Sequence, residues 1–239
     1  MKTYLSSAQL KDNAKEYLTG HYGLFIGTSL FVGLMSFIIS RFLLILTPSA
    51  NSIGGFIISN AISFIVSVFI GVFSVGTALL YLKSAHGGPA VFSDIFYGFS
   101  HHIETSLAIS LVMTAISIIP TLAYTIPYYI YTGTGNDMYL FLMFPCLAAA
   151  LIVYVPLSLT FSQCFFLMLD FPDKAAPEIL RLSIRIMKGR RARLFYIEVS
   201  FLPLLLLASL SGIGLLWVLP YMQMTMAAFY FDIMKPEQN

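Results

Sequence analysis

Charge is scarce in this sequence: only 10% of the 239 residues are Asp, Glu, Lys or Arg, while 58% are hydrophobic. A water-soluble domain carries about a quarter charged residues, so this chain lacks the polar surface to cover a globule in water. The shortage excludes an ordinary soluble enzyme, a nucleic-acid-binding domain and a disordered tail. Cysteine is also scarce. Cys146 and Cys164 lie eighteen residues apart in one apolar stretch, about 27 Å along a helix, too far to bridge. They read as small buried hydrophobes.

Catalytic signatures are missing too. There is no Gly-x-Ser-x-Gly elbow, no His-Glu-x-x-His zinc helix, no phosphate-binding loop with Lys and no dinucleotide fingerprint. These gaps lead to the expectation of a non-enzyme with no catalytic, cofactor or metal site.

What is present is long apolar sequence. Stretches of the roughly 20 residues needed to cross a bilayer fall at Tyr22–Ser40, Ile53–Leu82, Thr105–Tyr131, Met138–Leu169, Leu194–Leu210 and Gly214–Ile233. A strand alternation suited to a membrane barrel is absent. The expected fold is therefore an all-α membrane protein with six transmembrane helices, forming a single polytopic domain over residues 1–239. The first span begins too far into the chain, and runs too long, to be a cleaved signal peptide.

The positive residues fix an orientation. Of the 13 Lys and Arg, only Arg41 falls on the far side of these spans; Lys2, Lys11, Lys15, Lys83, Lys235 and the run from Lys174 to Arg193 share the near side. Positive residues stay cytoplasmic, so both termini are expected on the cytoplasmic side of the membrane. The tight turn Ser211-Gly212-Ile213-Gly214 is the weakest link in this count.

The cytoplasmic segments carry a pattern of their own. Ser6-Ser7-Ala8-Gln9 reads as a capping box with Leu5 and Leu10 as its hydrophobic staple, and Leu10, Ala14, Tyr17 and Leu18 share one face of the helix that follows. Pro89 opens a second helix with Phe92, Ile95, Phe96 and Phe99 on one face. Pro177 opens a third, with Glu178, Arg181, Arg185 and Lys188 as a polar stripe beside an apolar stripe of Leu180, Ile184 and Met187. Such amphipathic helices are expected to lie along the membrane surface.

Breaks at Gly20-His21-Tyr22, Ser100-His101-His102 and Gly189-Arg190-Arg191 precede the outward spans. Gly71, Pro156 and Pro220 are each followed ten residues later by an aromatic: Tyr81, Phe166 and Tyr230. The chain thus reads as three repeats of surface helix, span out and span back, over residues 6–82, 89–169 and 177–234.

Candidate functional residues are few. Glu198, about one turn into the fifth span, is a ligand candidate, though an ion pair with Arg190–Arg193 is the preferred reading. Gln163 and Gln223 are interhelical hydrogen-bonding or ligand candidates, and Arg41 is either an interfacial anchor or an anion site. His21, His86, His101 and His102 read as interfacial or capping residues rather than metal ligands. Arg181, Arg185, Lys188, Arg190, Arg191 and Arg193 form a surface for anionic lipid on the cytoplasmic face; nucleic acid is not expected. Prolines 120, 127, 145, 156, 203 and 220 allow kinks. Small residues at Gly23, Gly27, Ser29 and Gly33 permit close helix contact, expected inside the bundle.

The run Ser183-Ile184-Arg185-Ile186-Met187-Lys188-Gly189-Arg190, with Leu194-Phe195 and Ser200-Phe201, resembles the signature of a family of uncharacterised six-span integral membrane proteins common in Firmicutes, catalogued as a domain of unknown function. Leu10-Lys11, Ala14-Lys15 and Gly20 are similar to its opening helix, Asp94, Phe96, Gly98 and Phe99 to its middle segment, and Pro220-Tyr221, Thr225, Ala227, Phe229 and Tyr230 to its closing span. Leu202-Pro203 departs from the aromatic that the family carries after the Ser-Phe pair. The resemblance implies a six-span bundle, a bacterial plasma membrane and no established activity.

Three readings follow. The first is a non-catalytic scaffold or accessory subunit that binds lipid, a membrane-protein partner or a further copy of itself. The second is a transporter or export helper for a lipid or amphipathic, antimicrobial peptide, which requires a polar cavity reached by Glu198, Gln163 or Gln223. The third, an enzyme, requires His101, His102, Glu104 and Glu198 to cluster.

Overall fold

A computed structural model describes residues 4–46 and 52–235, and every ordered element among them is helical. Helix α1 (Ser7–Leu18) begins at the expected capping box: Ser6 Oγ accepts from the Gln9 amide at 3.2 Å, and Gln9 Oε1 accepts from the Ser6 amide at 2.8 Å. It buries Leu10, Ala14 and Leu18, the face its spacing marks out. Then come α2 (Tyr22–Leu46) and α3 (Ile53–Ala85), a 3₁₀ turn (Phe92–Phe96), α4 (Tyr97–Ser100), α5 (Ile103–Thr134) and α6 (Met138–Phe161). The chain finishes with α7 (Cys164–Asp170), α8 (Ala176–Met187), α9 (Arg191–Val199), α10 (Leu202–Ser211) and α11 (Leu215–Met234).

Among the described residues five segments are long and apolar enough to cross a membrane: Tyr22–Leu43, Ile53–Ala85, Ile103–Thr134, Met138–Asp170 and Arg191–Ser211. The sixth expected span, now α11, is not among them. It carries Gln223 and Asp232, and it buries every residue from Met224 to Tyr230. A helix buried on all sides is a central core element, and α1, α2, α3 and α10 all pack on it.

Burial is concentrated at one end of the molecule. In α3 it runs from Val68 to Leu82, in α5 from Ser106 to Ile116, and in α7 it covers Cys164, Phe166, Leu167 and Met168. We refer to this packed end as the collar. Away from it α2, α3, α5 and α6 extend as arms with large apolar side chains exposed, among them Leu34, Phe37, Ile57, Phe141, Phe144 and Ile152. Contiguous apolar surface on this scale requires a non-aqueous environment. Several hydroxyls on the arms are satisfied within their own helices: Ser36 donates to the Val32 carbonyl at 2.7 Å, and Thr121 to that of Ser117 at 3.0 Å. They can therefore face lipid without a partner helix.

The three amphipathic segments dock on helix ends. Helix α1 packs on α11, the Phe92–Ser100 segment on α3, and α8 on α6 and α7. The middle segment does not form the single helix expected after Pro89. Asp94 turns back to accept from the Val91 amide at 3.0 Å and from Lys83 Nζ at 2.7 Å, which tightens the first turn into a 3₁₀ helix. Only Ile95 of the expected apolar face is fully buried; Phe92 and Phe96 stay exposed. The backbone here approaches α3 so closely that a Cβ on Gly76 would lie 2.0 Å from the Ile95 carbonyl oxygen.

Helix α8 is rotated from its expected setting. It buries Ala176, Ile179, Ser183 and Met187, leaving Ile184 exposed and Leu180 half-buried. The cause is a polar contact: Ser183 Oγ donates to the Thr160 carbonyl at 2.7 Å, at the break between α6 and α7. A second break separates α9 from α10 at Ser200-Phe201, beside Pro203 and the family departure at Leu202-Pro203. Pro120, Pro127, Pro145, Pro156 and Pro220 all sit inside continuous helices. The expected close contact at Gly23, Gly27 and Gly33 is not made among the described residues: a Cβ at any of them meets no described atom within 4 Å.

Candidate functional site

The polar chemistry gathers in the collar, where Arg193 is the most heavily engaged side chain. Its Nη2 donates to Asp232 Oδ2 and to the Leu5 carbonyl, both at 2.5 Å. Its guanidinium lies between two rings, 5.0 Å from the Tyr4 centroid and 5.1 Å from that of Phe229. The Leu5 amide donates to both Asp232 carboxylate oxygens at 3.3 Å. Arg190 adds a second fork, donating through Nε and Nη2 to the Tyr4 hydroxyl at 3.0 and 2.8 Å. The Asp232 side chain is only 3% exposed; a carboxylate so enclosed needs a cation and further donors, and Arg193 supplies the cation through Nη2 while stacking on aromatics, with the Leu5 amide as the further donor. This clasp joins the start of α1 to α9 and α11.

A second clasp joins α3 to the middle segment through Lys83 and Asp94. The ends of α3, α7 and α11 also meet. Tyr230 donates to Asp170 and stacks on Phe166 with centroids 5.2 Å apart, while Phe231 meets His86 edge-on at 4.6 Å. Tyr81, Phe166 and Tyr230, the three aromatics at matching positions, are all buried.

Asp232 and Tyr4 escaped the reading of the sequence. A signal for Asp232 was available: it stands two residues past Tyr230, as Lys83 stands two past Tyr81.

The candidates taken from sequence are dispersed. Glu198 is half-buried and forms no ion pair with any described cation; of the expected Arg190–Arg193 cluster, Arg193 is held by Asp232 and Arg190 by Tyr4. Gln163 is fully buried at the α6–α7 break, its Nε2 donating to Ser162 Oγ at 2.9 Å while its Oε1 is enclosed without a hydrogen-bond partner. Gln223 is exposed on α11. Arg41 is exposed on the α2 arm, 4.9 Å over the Phe37 ring. No hydrogen bond joins any two of these four.

His101 stacks on Tyr97 at 4.5 Å and shares a 2.8 Å hydrogen bond with Ser100, and His86 Nδ1 lies 2.9 Å from the Leu82 carbonyl. Among the described residues no three His, Cys, Asp or Glu side chains are grouped as metal ligands would be. Cys164 is a buried free thiol, and Cys146 is a half-buried one.

The six cations proposed for lipid contact divide by geometry. Arg190 and Arg193 are committed to the clasp. Arg181, Arg185 and Lys188 are exposed along α8 next to Ile184. Arg191 is half-buried, with its Nε enclosed and unpartnered. On α1, Lys11 reaches the Ser200 carbonyl at the α9–α10 break (3.3 Å) and lies 4.2 Å over the Phe201 ring. Burial, and then the neighbouring charge of Lys15, hold the Lys11 amine below the usual lysine range.

No curated protein and no solved structure matches the chain. A family model described as a protein of unknown function, DUF975, matches residues 1–237. With nearly its whole length matched and a set of apolar helices to go with it, the chain belongs to the DUF975 family.

Proposed function

We propose that this protein is a non-catalytic integral membrane scaffold or accessory subunit of a bacterial plasma membrane, with both termini on the cytoplasmic side. The observation that carries this reading is the division of the molecule into a clasped polar collar and exposed apolar arms. A collar joined by Arg193–Asp232 and Lys83–Asp94 is suited to holding helices in fixed relation, and the arms offer apolar surface to lipid or to a partner's helices.

Six membrane-inserted helices in three units are part of this proposal. The docking order supports it: the segment of each unit packs on the return helix of another, α1 on α11, Phe92–Ser100 on α3, and α8 on α6 and α7. The junction of Tyr230 with Phe166 and the burial of Tyr81 support it as well.

Detergent purification from native membranes, followed by mass spectrometry of what accompanies the chain, tests the function. Retention of anionic lipid or of a membrane protein at fixed stoichiometry is expected. Transport or export of a lipid or amphipathic peptide is the second reading, favoured by the enclosed, unpartnered Gln163 Oε1 at a helix break. Co-purification of such a peptide, displaced on Gln163→Leu, would replace the scaffold reading with that one.

A further inference from the structure

We infer that the α10–α11 hairpin does not cross the bilayer: it enters and leaves on the collar side, and its tip is an interaction surface for the acyl chains of that leaflet. The inference deepens the membrane reading above and rests on it.

Helix lengths measured from a shared level carry the argument. The edge contact of Phe231 with His86 and the bond from Tyr230 to Asp170 bring the ends of α3, α7 and α11 to one depth. From there α3 runs back through 33 residues, about 50 Å at 1.5 Å per residue. The α6–α7 pair covers the same number. From Phe231 to the start of α11 at Leu215 is only about 24 Å. For α3 to end at the depth of the α11 tip it would have to tilt about 60° from the bilayer normal even with α11 standing along it, whereas membrane helices tilt between about 0 and 40°.

The hydrocarbon layer is about 30 Å thick, and it has to reach the apolar side chains exposed at the far ends of α3 and α6. Ile53 and Ile57 at the far end of α3, and Met138 and Phe141 at the far end of α6, are exposed, so the layer extends to those ends. It then begins about 20 Å from the shared level, and the short hairpin dips into its near side only. A layer drawn around the whole short hairpin would leave those far ends in water.

The two described turns agree with this difference in depth. The α5–α6 turn carries Asn136 and Asp137, both exposed, as a water-facing turn does. The α10–α11 turn has no charge, and Ser211 caps it: its Oγ donates to the Ala208 carbonyl at 3.1 Å and accepts from the Gly214 amide at 3.1 Å, while the Gly212 amide also bonds the Ala208 carbonyl. Around it Leu206, Leu207, Leu210, Ile213 and Trp217 are exposed, Leu210 at 86%.

Sided labelling tests the inference. In a Cys146→Ala, Cys164→Ala background reconstituted in vesicles, a membrane-impermeant maleimide should label Asn136→Cys from the far side and Lys188→Cys from the collar side only. It should not label Ser211→Cys from the far side. Far-side labelling of Ser211→Cys at the rate of Asn136→Cys would overturn the inference. Labelling of Asn136→Cys and Lys188→Cys from the same side would overturn the membrane reading itself, and the inference with it.

The wild-type chain gives an independent readout, because Trp217 is its only tryptophan. Iodide added on the far side should leave its emission unchanged, while lipids brominated on their acyl chains should quench it. Quenching by far-side iodide would show a crossing hairpin. Failure of the brominated lipids would show a tip covered by protein. Either result overturns the proposal.

Discussion

Arg193 and Asp232 are 39 positions apart in sequence and 2.5 Å apart in space, with the Leu5 backbone bonded to both. Removing one partner leaves the other charged and enclosed, which costs about 3 kcal/mol. Asp232→Asn and Arg193→Gln should each lower the melting temperature in detergent by several degrees. The double variant should lose clearly less than the sum, since the second change removes the charge that the first stranded. Additive losses would mean that the two side chains act separately.

The free cations of α8 should behave in the opposite way. Arg181, Arg185 and Lys188 make no ion pair among the described residues, so replacing all three with Gln should leave the melting temperature nearly unchanged. Near an anionic leaflet each contributes about 1 kcal/mol, so retention of phosphatidylglycerol during purification should fall at least tenfold. Arg193→Gln reverses the pattern, losing stability before lipid. A triple variant that keeps its anionic lipid would remove α8 from the lipid-facing surface.

These contrasts also show what a sequence can and cannot convey about such a chain. Local signals were legible: the Ser6–Gln9 capping box, the buried face of α1 and the long apolar helices depend on neighbours in sequence. The rotation of α8 was not, because Ser183 is drawn inward by a carbonyl 23 residues upstream that is exposed only by a break. Composition placed Glu198 next to the basic cluster, yet the carboxylate that pairs with Arg193 comes from the far end of the chain. Depth was equally hidden. The residues of α10 and α11 are apolar enough to suggest a full hairpin, and only contact with the ends of α3 and α7 reveals how short it is.

Ser183 supplies a direct test of that rotation. In Ser183→Ala the Thr160 carbonyl loses its donor, at a cost of about 1–2 kcal/mol for a buried unpaired acceptor. Ser183→Thr, which keeps the hydroxyl, should recover part of the loss. Hydrogen exchange at the α6–α7 junction should accelerate in the alanine variant and not at the α9–α10 junction. Equal exchange in wild type and Ser183→Ala would show that the hydroxyl has no part in holding the break.

Two glycines in neighbouring helices should respond in opposite ways. A Cβ on Gly76 would fall 2.0 Å from the Ile95 carbonyl oxygen, a contact with backbone that cannot move aside cheaply, whereas at Gly27 it meets nothing within 4 Å. Gly76→Ala should therefore detach the middle segment and lower folded yield severalfold, while Gly27→Ala should express normally. A normal yield for Gly76→Ala would contradict the docking of Phe92–Ser100 on α3.

The two lysines of α1 should titrate apart. Lys11 is held low by burial, and Lys15 is held high by its hydrogen bond to Asp12. Between the lowered value of Lys11 and the ordinary lysine value, the unfolded chain keeps a proton that the folded chain has released, so this group makes stability rise with pH in that window. For Lys15 the sign is opposite: its contribution is complete below the ordinary lysine value and is lost as pH rises through its raised one. Carbon-13 NMR of methylated lysines, assigned with Lys11→Arg and Lys15→Arg, should show Lys11 titrating first. If Lys15 loses its proton first, the Lys11 amine is not enclosed against Phe201 and Ser200, and the docking of α1 on the α9–α10 break has to be redrawn.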